Sequence, residues 1–253
     1  MGGTTLPAWL AACFLLSLRI TPVFLFAPPF TLMRVPRLVV ILLGTGLSAM
    51  IVSTWPGAAM FDDPTAASLM GGAIRELALG LVPVVALQFM FAGLYLVGRT
   101  IDIQAGFGLA LIIDPQTRGQ TPLMGMIFAM IAGAVFFAMD GHFQLLRFFV
   151  ASLELVPLGT ASALGGLGDV TAYVFLVSLL ALGVGGAAIL ALFLTDIMVA
   201  MLSRTVPQMN ALLIGIGVKS ILVLAVMPIA LGVSGALFTQ LVASAIAAMP
   251  KLI

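Results

Sequence analysis

The chain has 253 residues, 62% of them hydrophobic and only 8% charged, with a formal net charge of +1 and a mean hydropathy of +1.28. Soluble domains sit near ~45–50% apolar and ~25% charged, so this chain has too few polar groups to cover a water-facing surface, and a water-soluble globule is excluded. The balanced charge and the absence of a basic run argue against a nucleic-acid partner. One cysteine, Cys13, and one histidine, His142, cannot make an intrachain disulfide or the usual zinc site, and neither metal nor cofactor is expected.

A membrane span needs roughly 20 mainly apolar residues to cross a ~30 Å hydrocarbon core. Taken in chain order, the stretches that satisfy this are Leu6–Met33, Leu38–Phe61, Leu77–Gly98, Thr121–Met139, Val170–Thr195 and Ser220–Pro250. No positive residue precedes the first, so it reads as a retained helix rather than a cleaved signal. Two shorter runs, Ile103–Ile113 and Thr205–Val218, would reach only about 17 and 21 Å as helices and should not cross alone. Asp62-Asp63-Pro64 and Thr121-Pro122 place capping residues before a proline suited to a helix start. Pro22, Pro83 and Pro228 lie within long spans and should bend them or open their hydrogen-bond ladders. Small residues at Gly183, Ala187 and Ala191, and at Gly44 and Ser48, mark faces for close helix packing. The small-residue segment 158–169 reads as a connector between residues 1–157 and 170–253. With the N-terminus outside, six Lys/Arg (Arg34, Arg37, Arg99, Arg118, Arg204, Lys219) fall inside and three (Arg75, Arg147, Lys251) outside, which favours that orientation.

The chemistry of most enzymes is missing. There is no GxxxxGK[ST] phosphate loop, no HExxH, and no nucleophile–base constellation. His142, in Asp140-Gly141-His142 at the end of a span, reads as an interfacial histidine rather than a proton relay. Charges within apolar runs cost at least ~2.5–3.5 kcal/mol at a helix centre, so each needs a partner or water. Arg19, midway along the first run, should contact another chain or a hydrated interior. Arg75 and Glu76 open the third span. Arg99 and Asp102 are one turn apart and suited to a local pair. Asp196 ends a long apolar run with no local partner.

The segment Gln104-Ala105-Gly106-Phe107-Gly108-Leu109-Ala110-Leu111-Ile112-Ile113-Asp114-Pro115 is too short to span and too apolar for a free loop. Irregular backbone at membrane depth survives only when buried by protein or lining a cavity. Gly106 and Gly108 permit a sharp bend that would leave Phe107 projecting. From spacing alone this is either a gate that obstructs a pore or a tight turn between helices.

These residues, read in order, resemble the FliR/SctT family of type III secretion export-gate membrane proteins. The matching stretches are Leu18-Arg19, Pro22 to Phe24, Ala27-Pro28-Pro29-Phe30, Val35-Pro36-Arg37, Glu76 to Gly80, Ile103 to Gly108 with Asp114-Pro115-Gln116, Asp140-Gly141-His142, Leu155 to Gly159, Leu202-Ser203-Arg204 and Pro207 to Asn210. They cover nearly the whole chain. Asp196, where a neutral polar residue is usual, and Gly217, where proline is common, depart from the pattern.

The resemblance implies an all-α polytopic membrane protein of about six long helices, some bent into hairpins. A FliP-like part (1–157, with a plug loop at 104–115) would be followed by a FliQ-like hairpin part (170–253). It implies a structural, non-catalytic subunit of the flagellar export gate in the bacterial inner membrane. The implied partners are FliP-like and FliQ-like subunits, the FlhB and FlhA components, unfolded export substrates and lipid. The pore plug falls on Gly106, Phe107, Gly108, Leu109, Ala110, Leu111, Ile112 and Ile113. Buried charges or subunit contacts fall on Arg19, Arg75, Glu76, Asp102, Asp196, Arg204 and Lys219. An injectisome homologue is the near alternative. A secondary transporter would need repeat symmetry that the chain does not display, and an embedded enzyme would have to work through Asp140 or His142.

Overall fold

The structure, a computed structural model, describes residues 6–33, 35–55, 65–107, 122–160, 166–206 and 211–252. Among them are eight α-helices, with no strand. In chain order they are α1 (Leu6–Phe26), α2 (Arg37–Thr54), α3 (Ala66–Gln104), α4 (Leu123–Ala138), α5 (Gly141–Leu155), α6 (Leu167–Thr205), α7 (Ala211–Val233) and α8 (Gly235–Ala248). Short 3-10 turns occupy Phe30–Met33 and, near the C-terminus, Met249–Lys251.

The starts and stops have local causes. α1 ends at the Ala27-Pro28-Pro29 run, whose prolines lack the N–H a helix needs. Pro36 precedes α2, and its carbonyl accepts the Val39 and Val40 N–H groups. The cap of α3 is Thr65, whose hydroxyl oxygen accepts the Ser68 N–H at 3.4 Å. The Asp62-Asp63-Pro64 start read from the sequence lies outside the described residues. Pro122 opens α4 and its carbonyl accepts the Met126 N–H; Thr121 lies outside the described residues. Asp169 in the first turn of α6 and Arg204 in its last turn complement the helix dipole.

Among the described residues five helices are long and apolar enough to cross a membrane, and six segments qualify if the bent pair α4–α5 is one span. The chain is thus an all-α, polytopic membrane protein. Its spans differ from the sequence outline in length. α3 and α6 each run for 39 residues, about 58 Å at ~1.5 Å per residue, nearly twice the hydrocarbon core. Both continue through charges that bounded the apolar stretches, Arg75, Glu76, Arg99 and Asp102 in α3 and Asp196 in α6. The run 205–218 is no separate element, since Ala211 onward opens α7. Pro22, Pro83 and Pro228 all sit inside continuous helices. The sharp bend, 66° between α4 and α5, instead lies where Asp140 adopts a left-handed φ of 55°, a conformation that costs a non-glycine residue some strain.

The chain divides into two compact units, Met1–Phe89 with Phe136–Val174 and Ala243–Ile253, and Met90–Val135 with Phe175–Val242. Each draws on residues from both sides of the 158–169 connector. In the first unit α1 packs on α2 where Gly44 meets the Thr21 side chain, and Ser48, fully buried, donates to the Gly44 carbonyl at 2.7 Å. That pair fulfils its sequence reading. In the second unit the buried face of α6 is Val177, Ala181, Val184, Ala188 and Leu192, the i, i+4, i+7 spacing of one helix face. The Gly183, Ala187, Ala191 stripe lies one position round, and Ala187 is exposed. The tightest glycine contact of α6 is at Gly185, against Val97 and Ile101 of α3, and Gly183 meets Leu237 of α8.

Candidate functional site

In the first unit, Arg19 on α1 is 1% exposed and Glu76 on α3 is 0% exposed. They form a fork-to-fork pair, Arg19 Nε to Glu76 Oε2 at 2.5 Å and Nη2 to Oε1 at 3.0 Å. Arg19 Nη1 donates to Ser152 Oγ on α5 at 3.0 Å, and Nη2 also donates to the Val156 carbonyl at 3.0 Å. The Ser152 hydroxyl donates in turn to the Phe149 carbonyl at 2.7 Å. Glu76 Oε1 takes a further bond from the Gly159 N–H at 2.9 Å, and Arg75 Nη1 donates to the Gly159 carbonyl at 2.8 Å.

A guanidinium has five N–H donors, and four are engaged here. Such saturation is what a buried charge needs, because desolvation costs several kcal/mol per ion unless geometry and extra hydrogen bonds offset it. The fit also depends on Gly80. A Cβ there would stand 2.5 Å from the Arg19 carbonyl oxygen, so any side chain would push α1 away from α3.

This arrangement corrects the reading of Arg19 as a contact to another chain or to water. Its partners are in its own chain, and Glu76, expected among the buried charges, is a buried ligand of that arginine. Arg75, in contrast, is exposed apart from its bond to Gly159.

In the second unit α3 ends in a turn. Ala105, 0% exposed, donates its N–H to the Ile101 carbonyl at 2.8 Å, and Gly106 donates to the Ile103 carbonyl at 3.2 Å. Gly106 has φ +84°, the left-handed region that only glycine enters without penalty. It also lies against α7, since a Cβ there would be 2.9 Å from Ile216 Cγ2. Phe107 is half-buried. The candidate plug residues Gly108, Leu109, Ala110, Leu111, Ile112 and Ile113 lie outside the described residues.

The end of α3 is tied to the start of α4. The Asp102 carboxylate accepts the Met124 N–H through both oxygens, at 3.2 and 3.3 Å, so the end of α3 caps the start of α4. Beside it Gly98 packs directly on the Gly125 backbone. Asp102 therefore does not serve the local pair expected with Arg99, and no ion pair joins those two among the described residues. Asp196 has a partner that its own helix did not reveal. Lys219 of α7 pairs with it, with Asp196 half-exposed and Lys219 largely covered. Arg204 is exposed. His142 packs its ring on Phe137 and Phe143.

A family model for bacterial export proteins, family 1, matches residues 10–245. The chain belongs to that family. It is 28% identical over 218 residues to the flagellar biosynthetic protein FliR of Bacillus subtilis (strain 168), covering 82% of this chain and 81% of that one. It is 25% identical over 215 residues to FliR of Escherichia coli (strain K12), covering 82% and 79%. The surface presentation of antigens protein SpaR of Salmonella typhimurium (strain LT2) is 27% identical over 207 residues, covering 80% and 76%.

The export-protein match spans both the Arg19–Glu76 network and the α3–α7 turn. Three stretches that stood apart in the sequence of this export protein, Leu18-Arg19, Glu76 to Gly80 and Leu155 to Gly159, meet in one network. Sequence reasoning missed Ser152 and Ser220. Both are lone serines on apolar helices, where i−3 or i−4 back-bonding is the default use, so nothing local pointed to Arg19 or to the Ala105 carbonyl as their partners.

Proposed function

We propose that the chain is a structural, non-catalytic subunit of a type III protein export gate, and that the turn leaving α3 at Gly106 closes its pore. The family match over residues 10–245 carries the first half. The second half is supported by the geometry of the turn. The chain leaves α3 through a left-handed glycine, and Asp102 holds the end of α3 to the start of α4 at Met124, which gives the segment that follows Phe107 a fixed root. An apolar tip of Phe107 to Ile113 would seal by sterics and dewetting, as hydrophobic constrictions do.

In this reading the chain assembles with FliP-like and FliQ-like subunits near FlhB and FlhA components, in the inner membrane of the flagellar basal body. Residues 1–157 supply the FliP-like part and 170–253 the FliQ-like part. Unfolded export substrates pass through the shared pore. The chain carries no phosphate loop, so energy enters through other components, an ATPase or the proton gradient. α3 and α6, at about 58 Å each, suit an assembly that rises beyond the hydrocarbon layer.

Two experiments test this. Co-purification of the tagged chain with FliP-like and FliQ-like subunits is the expected result for assembly, and a chain that purifies alone would sink it. Deleting Gly106–Ala110 should let small solutes leak through cells expressing the complex, whereas unchanged permeability rejects the plug. The similarity to SpaR keeps an injectisome role as the second reading. Restored swimming in a strain lacking its flagellar counterpart supports the flagellar one, and restored secretion without swimming supports the other.

A further inference from the structure

Within the first unit a cleft of about 310 Å³ lies between α5 and the C-terminal turn. Its α5 wall carries Phe148, Ala151 and Leu155, spaced i, i+3, i+7 on one helix face, and the small Ala151 between two large side chains opens the hollow. Ile246 of α8 and Pro250 form the facing wall. Met249 and Leu252 are buried, which seats that turn and leaves Lys251, between them, exposed. Arg147 lines the cleft and is also exposed. Neither Arg147 nor Lys251 meets a carboxylate among the described residues. Gln144, a further lining residue, has its Nε2 committed to the Met139 carbonyl at 2.9 Å, which leaves Oε1 as an acceptor. Ser152 serves only as wall, since its hydroxyl belongs to the Arg19 network. Glu154, the one acid of α5, borders a neighbouring groove and lies two turns from Arg147, about 10 Å along the axis.

We infer that this cleft binds one anionic phospholipid, with its phosphate held by Arg147 and Lys251 and the upper part of an acyl chain laid on Phe148, Ala151 and Leu155. Charge complementarity selects the occupant. Two unpaired cations at the rim of apolar walls call for a molecule with a negative head and a hydrocarbon tail, and in a polytopic membrane protein the surrounding lipid is that molecule. A guanidinium can grip a phosphate through two parallel N–H bonds, and each basic side chain near a bilayer favours anionic lipid by a factor of about five. The volume is near the lower end for ligand cavities, which suits a headgroup and the start of one chain, with the rest of the lipid in the bilayer. The orientation read from the sequence puts Arg147 and Lys251 on the same side of the membrane, as a single headgroup requires. The site is independent of the gate reading, because none of its residues belongs to the Gly106 turn.

The test places a fluorescent reporter in the cleft of the full chain. Trp9→Phe and Trp55→Phe remove both native tryptophans, and Phe148→Trp supplies one in the cleft wall. The chain is reconstituted in vesicles of phosphatidylcholine and phosphatidylglycerol, with dibrominated acyl chains on one lipid or the other, since bromine quenches tryptophan on contact. Quenching by the brominated glycerol lipid should exceed that by the brominated choline lipid, with a relative association constant of about 5–25, one factor of about five for each cation. Arg147→Gln with Lys251→Gln should bring that ratio to about one, and each single change should lose about one such factor. Arg37→Gln, an exposed cation that does not line the cleft, should leave the ratio unchanged. If Phe148→Trp does not reconstitute, Leu155→Trp, on the same wall, takes its place. A ratio near one in the parent overturns the site, and so does a preference that survives the double change or falls equally with Arg37→Gln. Quenching by neither lipid also overturns it, because the cleft is then covered by protein or closed to the bilayer.

Discussion

The Arg19 network and the Gly106 turn are both built from polar groups in an apolar chain, yet they are constructed differently. Around Arg19, the guanidinium and the Glu76 carboxylate are bonded to each other and to groups from two further segments, α5 and the turn that follows it, with both charged side chains out of contact with solvent. Around Gly106, single separable bonds hold the root, Asp102 to Met124 and Ser220 to Ala105, and the Phe107 side chain is only half-buried. Saturation makes the first a fixed joint, because loss of either ion strands the buried charge of the other. The second can open one bond at a time.

Breaking the fixed joint should have the largest effect. Arg19→Ala or Glu76→Ala leaves an uncompensated buried charge, with an expected loss of about 3–5 kcal/mol, read as loss of the chain from purified complexes or a lowered melting temperature. Arg19→Lys should not rescue, since an ammonium lacks the fork that meets both Glu76 oxygens. Replacing both residues by apolar ones of similar volume, Arg19→Met with Glu76→Leu, should recover much of the stability. Recovery no better than either single change would show that Ser152 and Val156, not the pair, dominate the joint.

Next in size is the helix contact at the root of the turn. Gly98→Val forces a side chain into the Gly125 backbone and should cost about 1–3 kcal/mol by overpacking. Thermal stability of the complex measures it, and an unchanged midpoint would show that α3 and α4 yield easily.

Asp102→Ala removes a cap from α4, with an expected loss of about 0.5–2 kcal/mol. The effect should be local, seen as faster proteolysis of the 105–122 segment while the rest of the chain stays intact. Cleavage unchanged from the parent would count against Asp102 as the clasp.

Smallest of all should be Asp196→Asn. Its side chain is half-exposed, and exposed pairs contribute at most about 1 kcal/mol. A large loss of assembly on this change would mean that another subunit covers Asp196 and Lys219.

Much of this was legible before any coordinate. Composition required lipid or apolar neighbours, the apolar stretches located the long helices, and Gly106 was recognisable as a bend from its place between charges. The faces of those helices were not legible. A helix that is apolar all round gives periodicity nothing to contrast, so the small residues pointed to Gly183, which packs on Leu237, but not to the more buried Val184, Gly185 and Ala188 beside it. The partners of the charges were hidden for a related reason. Sequence spacing reveals neighbours within a helical turn, which suggested Arg99 for Asp102. The bonds that formed instead join residues 22, 57 and 115 positions apart.

What the amino-acid sequence determined by itself was therefore the solvent this protein needs, its helices and the location of its glycine turn, since these follow from local chemistry and from the transfer of side chains into lipid. Only the tertiary structure decided that Arg19 belongs to Glu76, Asp102 to Met124 and Ser220 to the turn. Those choices depend on how helices cross and rotate against one another, and close contacts at glycines such as Gly80 and Gly98 set them.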